Sequence, residues 1–140
     1  MTTSIDTNVL VALWDHEDRL STSTQAALDA ALRRGNLVVP APVFSELMAA
    51  PGRTEEFLNS FMLDTGIGID WDLDQSIWRL AGRAFQSYAA SRRKQRDSGP
   101  RRILADFLIG AHAQRHGFAL LTLDDGRYRN AFPNLQIIRI

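Results

Sequence analysis

Short apolar segments typical of strands alternate with longer amphipathic segments along the whole of this 140-residue chain. The strand segments are Ser4 with Ile5, then 37–39, 67–71, 118–122 and 136–140. Between them, apolar residues recur at helical spacing, most regularly over 72–96. Because strands that alternate with helices form parallel sheets, the pattern predicts an α/β fold, a doubly wound parallel sheet of four to five strands with helices on both faces.

Length and composition favour one globular domain over residues 1–140. The chain is 45% hydrophobic and 23% charged, and no repeat, linker or low-complexity segment divides it. The absence of cysteine excludes disulfide scaffolds, cysteine nucleophiles and cysteine-ligated metal sites. The apolar runs are much shorter than the ~20 residues of a membrane span, and residues 1–6 do not resemble a secretory signal. We therefore expect a cytoplasmic protein without a membrane segment.

Basic residues are concentrated in one part of a chain whose net charge is zero, with 16 Lys and Arg against 16 Asp and Glu. The overall charge therefore gives no argument for nucleic-acid binding. The basic cluster consists of Arg92, Arg93, Lys94, Arg96, Arg101 and Arg102. Such a cluster is typical either of a solvated helix end or of a phosphate-binding surface, and the sequence leaves both interpretations open.

Four acidic residues follow the predicted strands. Asp6 comes directly after the first strand, Glu46 lies one turn into the helix after the second, and Asp106 lies in the first turns of the penultimate helix. Asp124 follows the strand that ends at Thr122. Because the carboxyl ends of the strands lie at one edge of a doubly wound sheet, these acids are predicted to form a cluster there. Taken singly, each is more typical of a helix cap or a surface charge.

Clustered carboxylates need a counter-charge. Two carboxylates about 4 Å apart repel by about 4 kcal/mol at an effective dielectric constant near 20, so a larger cluster requires protons or a cation. Hard divalent cations prefer oxygen ligands, which favours Mg²⁺ or Mn²⁺ as the cofactor of a chain without cysteine. A divalent ion in such a site activates water and neutralises a phosphate under attack. The matching chemistry is hydrolysis of a phosphodiester bond.

Four segments resemble the PIN-domain family, and within it the VapC-type toxins of bacterial toxin-antitoxin pairs. They are Ile5-Asp6-Thr7-Asn8-Val9-Leu10, Pro42 with Ser45-Glu46-Leu47, residues 105–113, and Gly117 with Leu121-Thr122-Leu123-Asp124. Together they span nearly the whole chain, and the last two are the most specific. The resemblance implies a PIN-like fold and a metal-dependent endoribonuclease toxin that hydrolyses RNA. It also implies neutralisation by a cognate VapB-type antitoxin and assembly as a homodimer.

The resemblance assigns catalytic roles to Asp6, Glu46, Asp106 and Asp124. Asp6 and Asp106 are the expected direct metal ligands, and Asp124 is expected to bind a second metal or to act through water. Glu46 is a ligand or positions the attacking water. Asp125 follows Asp124 directly and is the alternative fourth acid, but the family's Thr-x-Asp spacing favours Asp124.

The resemblance also implies supporting residues and contacts. Thr7 or Asn8 is expected to orient Asp6, with Thr122 in the same supporting shell around the acids. Antitoxin segments are expected to cover the acidic edge. The basic residues expected to hold RNA phosphates near the cut are Arg93, Arg101 and Arg102.

Two other functions remain open. One is a phosphatase of the haloacid-dehalogenase type with Asp6 as nucleophile. Against it, Asn8 stands where such enzymes have a second Asp, and Lys94 is the only lysine that could bind phosphate. The other is a degenerate PIN-like domain that binds RNA or protein without catalysis, although none of the four acids is missing.

A pair of histidines in the chain offers a possible metal site. His112 and His116 have the i, i+4 spacing of a helical metal pair. Position 113 is Ala, however, and not the Glu that a zinc metalloprotease requires. From the sequence alone, the two histidines are therefore interpreted as having no metal role.

Overall fold

The computed structural model describes residues 1–96 and 101–140, and these residues form one five-stranded sheet with seven helices around it. All strand pairings are parallel, in the order β3-β2-β1-β4-β5. The predicted doubly wound α/β class is confirmed, with five strands. The strands are β1 (Thr2–Ile5), β2 (Asn36–Pro40), β3 (Gly68–Asp70), β4 (Ala119–Thr122) and β5 (Ile137–Arg139).

The helices lie between the strands, as the alternating pattern predicts. They are α1 (Thr7–Trp14), α2 (Ser21–Arg34), α3 (Ala41–Met48), α4 (Glu55–Thr65), α5 (Gln75–Gln95), α6 (Leu104–His116) and α7 (Gly126–Arg129). The segment Ser98-Gly99-Pro100, whose sequence predicts a break between two helices, lies outside the described residues. Local chemistry explains several ends: the Thr54 hydroxyl accepts the N–H of Phe57 at the start of α4, and α6 ends at Gly117 with a φ of 70°.

The strand order determines where a site can form. From β1 the chain passes to β2 and β3 on one side, and it then returns to place β4 on the other side of β1. Because crossovers between parallel strands are right-handed, the helices of the two halves cover opposite faces of the sheet. The direction reverses between β1 and β4, where Ile5 and Leu121 are in register. Side chains that follow these two strands share the crevice where ligands of this fold class bind.

The central strand β1 is buried although it is polar. Thr3, Ser4 and Ile5 are fully buried, and the hydroxyl groups of Thr3 and Ser4 have no hydrogen-bond partner among the described residues. Backbone pairing with β2 on one side and β4 on the other holds the strand in place. The residue that follows β1 is therefore anchored in the middle of the sheet.

Helix α6 runs through the core. All its residues from Asp106 to Ala113 are buried, and α5 packs along it. Gly110 faces the ring of Phe132, which leaves no room for a Cβ atom at position 110. Within residues 1–96 and 101–140, no helix combines the length and the apolarity that crossing a membrane requires.

Candidate active site

Asp6 lies directly after β1 and is 2% exposed. Its Oδ2 accepts two hydrogen bonds, from the Thr122 hydroxyl at 2.8 Å and from the Tyr128 hydroxyl at 2.9 Å. Burial raises the pKa of the Asp6 carboxyl above its ordinary value, and the two hydroxyl donors oppose that rise. The Asp6 carboxyl is thus held in one orientation, in surroundings where its negative charge is costly.

Thr122 connects the ends of β1 and β4. While it donates to Asp6, its Oγ1 accepts the backbone N–H of Asp124 at 3.0 Å and lies 3.5 Å from the Asn8 amide nitrogen. The Asn8 amide oxygen accepts the N–H of Leu123 at 3.2 Å. Asn8 therefore reaches Asp6 through Thr122 and fixes the backbone that leads to Asp124.

Glu46 projects from α3 and is partly buried. The Thr7 hydroxyl donates to its Oε1 at 2.5 Å, so the Thr7 side chain holds Glu46. Burial raises the pKa of the Glu46 carboxyl, the Thr7 hydrogen bond opposes this, and the nearby charges of Asp106 and Asp6 raise it further. Glu46 therefore lies within electrostatic reach of both acids.

Asp106 and Asp124 meet at one guanidinium group. Asp106 is 5% exposed in the first turn of α6, where its Oδ2 accepts the N–H of Ile103 at 3.1 Å. Arg127 of α7 places Nη1 3.5 Å from Asp106 Oδ1 and donates from Nε to Asp124 Oδ2 at 3.0 Å. Two acids from different elements thus share one counter-charge.

Arg127 is the positive centre of the cluster. Burial alone would lower the pKa of its guanidinium, but the carboxylates of Asp106, Asp124 and Asp6 outweigh burial and raise it. Glu46 also interacts with this charge. One guanidinium among four acids leaves an excess of negative charge, and the donor set consists of carboxylate oxygens. These residues therefore fit Mg²⁺ or Mn²⁺, which favour oxygen ligands.

The structure separates the two neighbouring acids at the end of β4. Asp124 contacts Arg127 and through it the cluster. The Asp125 carboxylate instead pairs with Arg129, and the Arg139 guanidinium lies 3.6 Å away. Of the two acids, Asp124 is the one grouped with Asp106.

Sequence reasoning missed two residues of the cluster, Arg127 and Tyr128. Both belong to α7, a helix of four residues at a place where the sequence Asp124-Asp125-Gly126 predicts a turn. Tyr128 is fully buried, and burial beside Asp6 raises the pKa of its hydroxyl. The one available signal was an aromatic residue among the charges that follow the last acid, which no periodic pattern would single out.

The predicted RNA contacts lie in one cleft. Arg93, Arg101 and Arg102 line a cleft of about 380 Å³ with Tyr88, where the end of α5 meets the chain before α6. Arg93 and Arg101 are exposed. The Arg102 guanidinium lies 5.2 Å from the Tyr88 ring and donates to the carbonyl of Gly126 at 2.9 Å. The basic cleft is therefore tied to the loop that carries the fourth acid.

The fold and the site together define a class of protein. In this class, acids from four separate elements lie at the switch point of a parallel sheet, which here has five strands and reverses its strand order between β1 and β4. The PIN domain matches residues 4–133, and the chain belongs to the PIN-domain family. Comparison of the sequence with curated proteins finds no match.

Solved structures resemble the whole chain. VapBC2 from Rickettsia felis, bound to a DNA fragment from its promoter, is 18% identical with a TM-score of 0.71, covering 100% of this chain and 99% of that chain. VapBC-1 from nontypeable Haemophilus influenzae is 18% identical with a TM-score of 0.66, over 99% and 98%. A toxin-antitoxin complex from Klebsiella pneumoniae is 19% identical with a TM-score of 0.63, over 99% of both chains. At these identities, the likeness shows the fold.

Proposed function

We propose that this PIN-domain protein is a VapC-type toxin, an endoribonuclease that hydrolyses RNA with Mg²⁺ or Mn²⁺. The observation that carries the proposal is the grouping of four carboxylates around Arg127: Asp6, Glu46, Asp106 and Asp124. Membership of the PIN-domain family and the toxin-antitoxin complexes among similar structures support the same conclusion.

The four acids have different surroundings, which suit them to different roles. Asp6 and Asp106 are buried and fixed by hydrogen bonds, which suits direct metal ligands, while the more exposed Asp124 suits a second metal or a contact through water. A divalent ion, when bound, supplies the Lewis acidity that neutralises charge on the phosphate. Glu46 accepts the proton of the attacking water, because its raised pKa makes it a stronger base than an ordinary carboxylate.

The basic cleft positions the RNA. Phosphate contacts set the register of a nucleic acid without reading its sequence, and exposed arginines are suited to such contacts. Arg93 and Arg101 present free surface there, while Arg102 connects the cleft to the loop beside the acids. A strand lying along the cleft leads toward the acidic cluster, which agrees with a cut at a single-stranded region.

The proposal includes two protein partners. A cognate VapB-type antitoxin would cover the acidic edge with basic or aromatic residues. An apolar cleft of about 460 Å³ between α1, α2 and α4, with exposed Leu32 and Phe57 at its walls, offers a second contact for an amphipathic helix. A second copy of the chain is the proposed cover for Trp71 and Trp78, which are 58% and 50% exposed.

The phosphatase alternative finds no support in the geometry. Asn8, which stands where that class has its second Asp, is engaged with Thr122 and Leu123. Lys94 lies exposed in the last turn of α5. A phosphomonoester such as p-nitrophenyl phosphate should therefore remain intact.

The test is cleavage of cellular RNA by the purified protein, followed by sequencing of the new ends. We expect cutting with Mg²⁺ or Mn²⁺ and none with EDTA. Asp6→Asn and Asp106→Asn should each reduce the rate by about a hundredfold or more, because each removes a charge from the metal site. Asp125→Asn is the matched control and should keep its activity. Cleavage that survives both Asp6→Asn and Asp106→Asn would overturn the assignment.

A further inference from the structure

A second group of potential metal ligands lies where α6 meets β3. Asp70 ends β3, and His112 and His116 occupy successive turns of α6. His112 Nε2 lies 2.8 Å from Asp70 Oδ2, and His116 Nε2 lies 3.7 Å from the same oxygen. One ligand atom from each residue can be chosen so that all three lie within 4.8 Å of one another. The fold thus adds a carboxylate to a histidine pair that the sequence showed without one.

This group is separate from the acidic cluster. His112 lies six residues beyond Asp106 on α6, which corresponds to about 9 Å along the helix axis and about 120° around it. Among the described residues, the side-chain contacts of Asp70 include both histidines and none of the four acids. A ligand held here would not be the ion proposed for the acids.

The two imidazole rings are already ordered. His112 is fully buried, and its ring packs edge-on against His116 at a centroid distance of 4.8 Å. Phe118 stacks on His116 at 5.0 Å with an interplanar angle of 13°. His112 Nδ1 is buried and has no hydrogen-bond partner in the described part of the chain, so the polar contact of this ring is made by Nε2, toward Asp70. The binding of an ion would therefore require little ordering of the rings.

We propose that Asp70, His112 and His116 form a second metal site, for Zn²⁺ or a related late first-row divalent ion. Metal bonds of about 2.0–2.2 Å in tetrahedral geometry place ligand atoms roughly 3.4 Å apart, and the observed 2.8 and 3.7 Å lie on either side of that distance. Imidazole ligands suit Zn²⁺, Co²⁺ and Ni²⁺, whereas Mg²⁺ prefers oxygen. Three protein ligands leave a fourth position for water.

The ion would act as a clamp in the fold. β3 has three residues and pairs only with β2 among the described strands, so few backbone bonds hold Asp70. A metal bridge ties this edge strand to α6, the helix whose first turn carries Asp106. Because an ion that binds only the folded state adds stability, Zn²⁺ should raise the melting temperature of the metal-free protein.

The experiment is a titration of the EDTA-dialysed full chain with Zn²⁺, followed by calorimetry and thermal unfolding, and with Co²⁺, followed by visible absorption. The titration uses the chain that carries both Asp6→Asn and Asp106→Asn, because the acidic cluster of the wild type could also take Zn²⁺. This chain should bind one ion that raises the melting temperature, and Co²⁺ should give the strong absorption of a four-coordinate site. His116→Gln changes a partly exposed ligand and should lower the affinity by at least about tenfold. Asp70→Asn is a second variant with the same expectation.

Two controls distinguish the test of the second metal site from the test of the proposed nuclease activity. His16→Gln makes the same substitution at an exposed histidine in another part of the fold and should bind like the chain that keeps His16. Asp6→Asn with Asp106→Asn should keep the Zn²⁺ site while losing RNA cleavage. Zn²⁺ binding and melting temperature that are unchanged in both His116→Gln and Asp70→Asn would overturn the second site, whatever the outcome for the nuclease.

Discussion

At the residue scale, the site depends on the buried carboxyl group of Asp6, whose ionised form is disfavoured by burial. Asp6 lies between Thr122 and Tyr128, and burial raises its pKa. An acid whose pKa is raised by folding costs stability above its folded pKa, where it is ionised. That cost is absent below the ordinary value of 3.8, where the carboxyl is protonated in both the folded and unfolded states.

Asp6→Asn should therefore stabilise the metal-free protein at neutral pH. Asparagine keeps an oxygen for Thr122 and Tyr128 and removes the buried charge, so we expect about 1 kcal/mol more unfolding free energy in EDTA. The gain should shrink as the pH falls toward 4. Urea unfolding at several pH values measures both effects. A gain that does not change with pH would contradict this explanation.

The opposite sign is expected at the neighbouring acid in the loop after β4. A hydrogen bond from Arg129 lowers the pKa of the partly buried Asp125 carboxyl. Asp125→Asn should therefore cost a little stability at neutral pH, where the ionised carboxylate favours the folded state, which makes it the control for the buried position.

The partners of individual site residues could not be predicted from the sequence. The place of the acids after the predicted strands indicated that they lie at one edge of the sheet, because the topology brings the strand ends together. It did not predict that Thr7 contacts Glu46, that Arg127 joins Asp106 to Asp124, or that Asp70 reaches the histidines. These contacts join residues far apart in the sequence, and rotamers and loop paths decide them.

At the scale of elements, α6 connects the core to both proposed sites. Its first turn carries Asp106, and its last turns carry His112 and His116. Gly110 lies between them against Phe132. The position of α6 therefore depends on close packing at a residue without a side chain.

Gly110→Ala should destabilise the fold by about 1–3 kcal/mol. A Cβ at this position overlaps the Phe132 ring, and overpacking of this kind outweighs the roughly 1 kcal/mol that alanine gains over glycine in a helix. Gly82→Ala in α5 is the matched control, since no atom of the described residues lies within 4 Å of its added Cβ, and it should stabilise the protein. Denaturant unfolding of both variants gives the comparison. Equal effects at the two positions would show that packing against Phe132 does not hold α6.

The elements themselves were largely predictable from local patterns. Alanine and leucine at helical spacing, followed by Gly35, predict a helix over Ser21–Arg34, and these are the bounds of α2. The apolar residues of 72–96 recur with a helical period, and α5 spans most of that stretch. β3 is shorter than its apolar segment suggested, and α7 was not predicted. Four residues give no period to detect, and hydrogen bonds to neighbouring elements decide where a short edge strand ends.

At the scale of the whole molecule, the net charge is zero, but the surface has one acidic region and one basic region. The acids gather at the switch point of the sheet, and the basic cleft adjoins them through Arg102 and Gly126. Sequence analysis gave both the acidic edge and the basic cluster, but it did not show that they adjoin. The contact between Arg102 and the Gly126 carbonyl brings them together.

Arg93→Gln should weaken RNA binding and reduce its dependence on salt. Removing one phosphate contact lowers the slope of log affinity against log salt by about one, with little change in sequence preference. Arg34→Gln at the end of α2 is the control, because that helix ends at the opposite edge of the sheet, just before β2 begins. Fluorescence anisotropy with single-stranded RNA, in EDTA to prevent cleavage, measures both slopes. An unchanged slope for Arg93→Gln would remove the basic cleft from the RNA path.

The most direct test of the central claim is Mn²⁺ binding, measured by the loss of the free-ion signal in electron paramagnetic resonance. If the acids at the ends of separate strands act as one metal site, the wild type and Asp125→Asn should bind Mn²⁺ alike. Asp6→Asn and Asp106→Asn should each weaken binding by about tenfold or more. Wild-type affinity in both of these variants would mean that the acids do not hold the ion together, and the account of the site would be wrong.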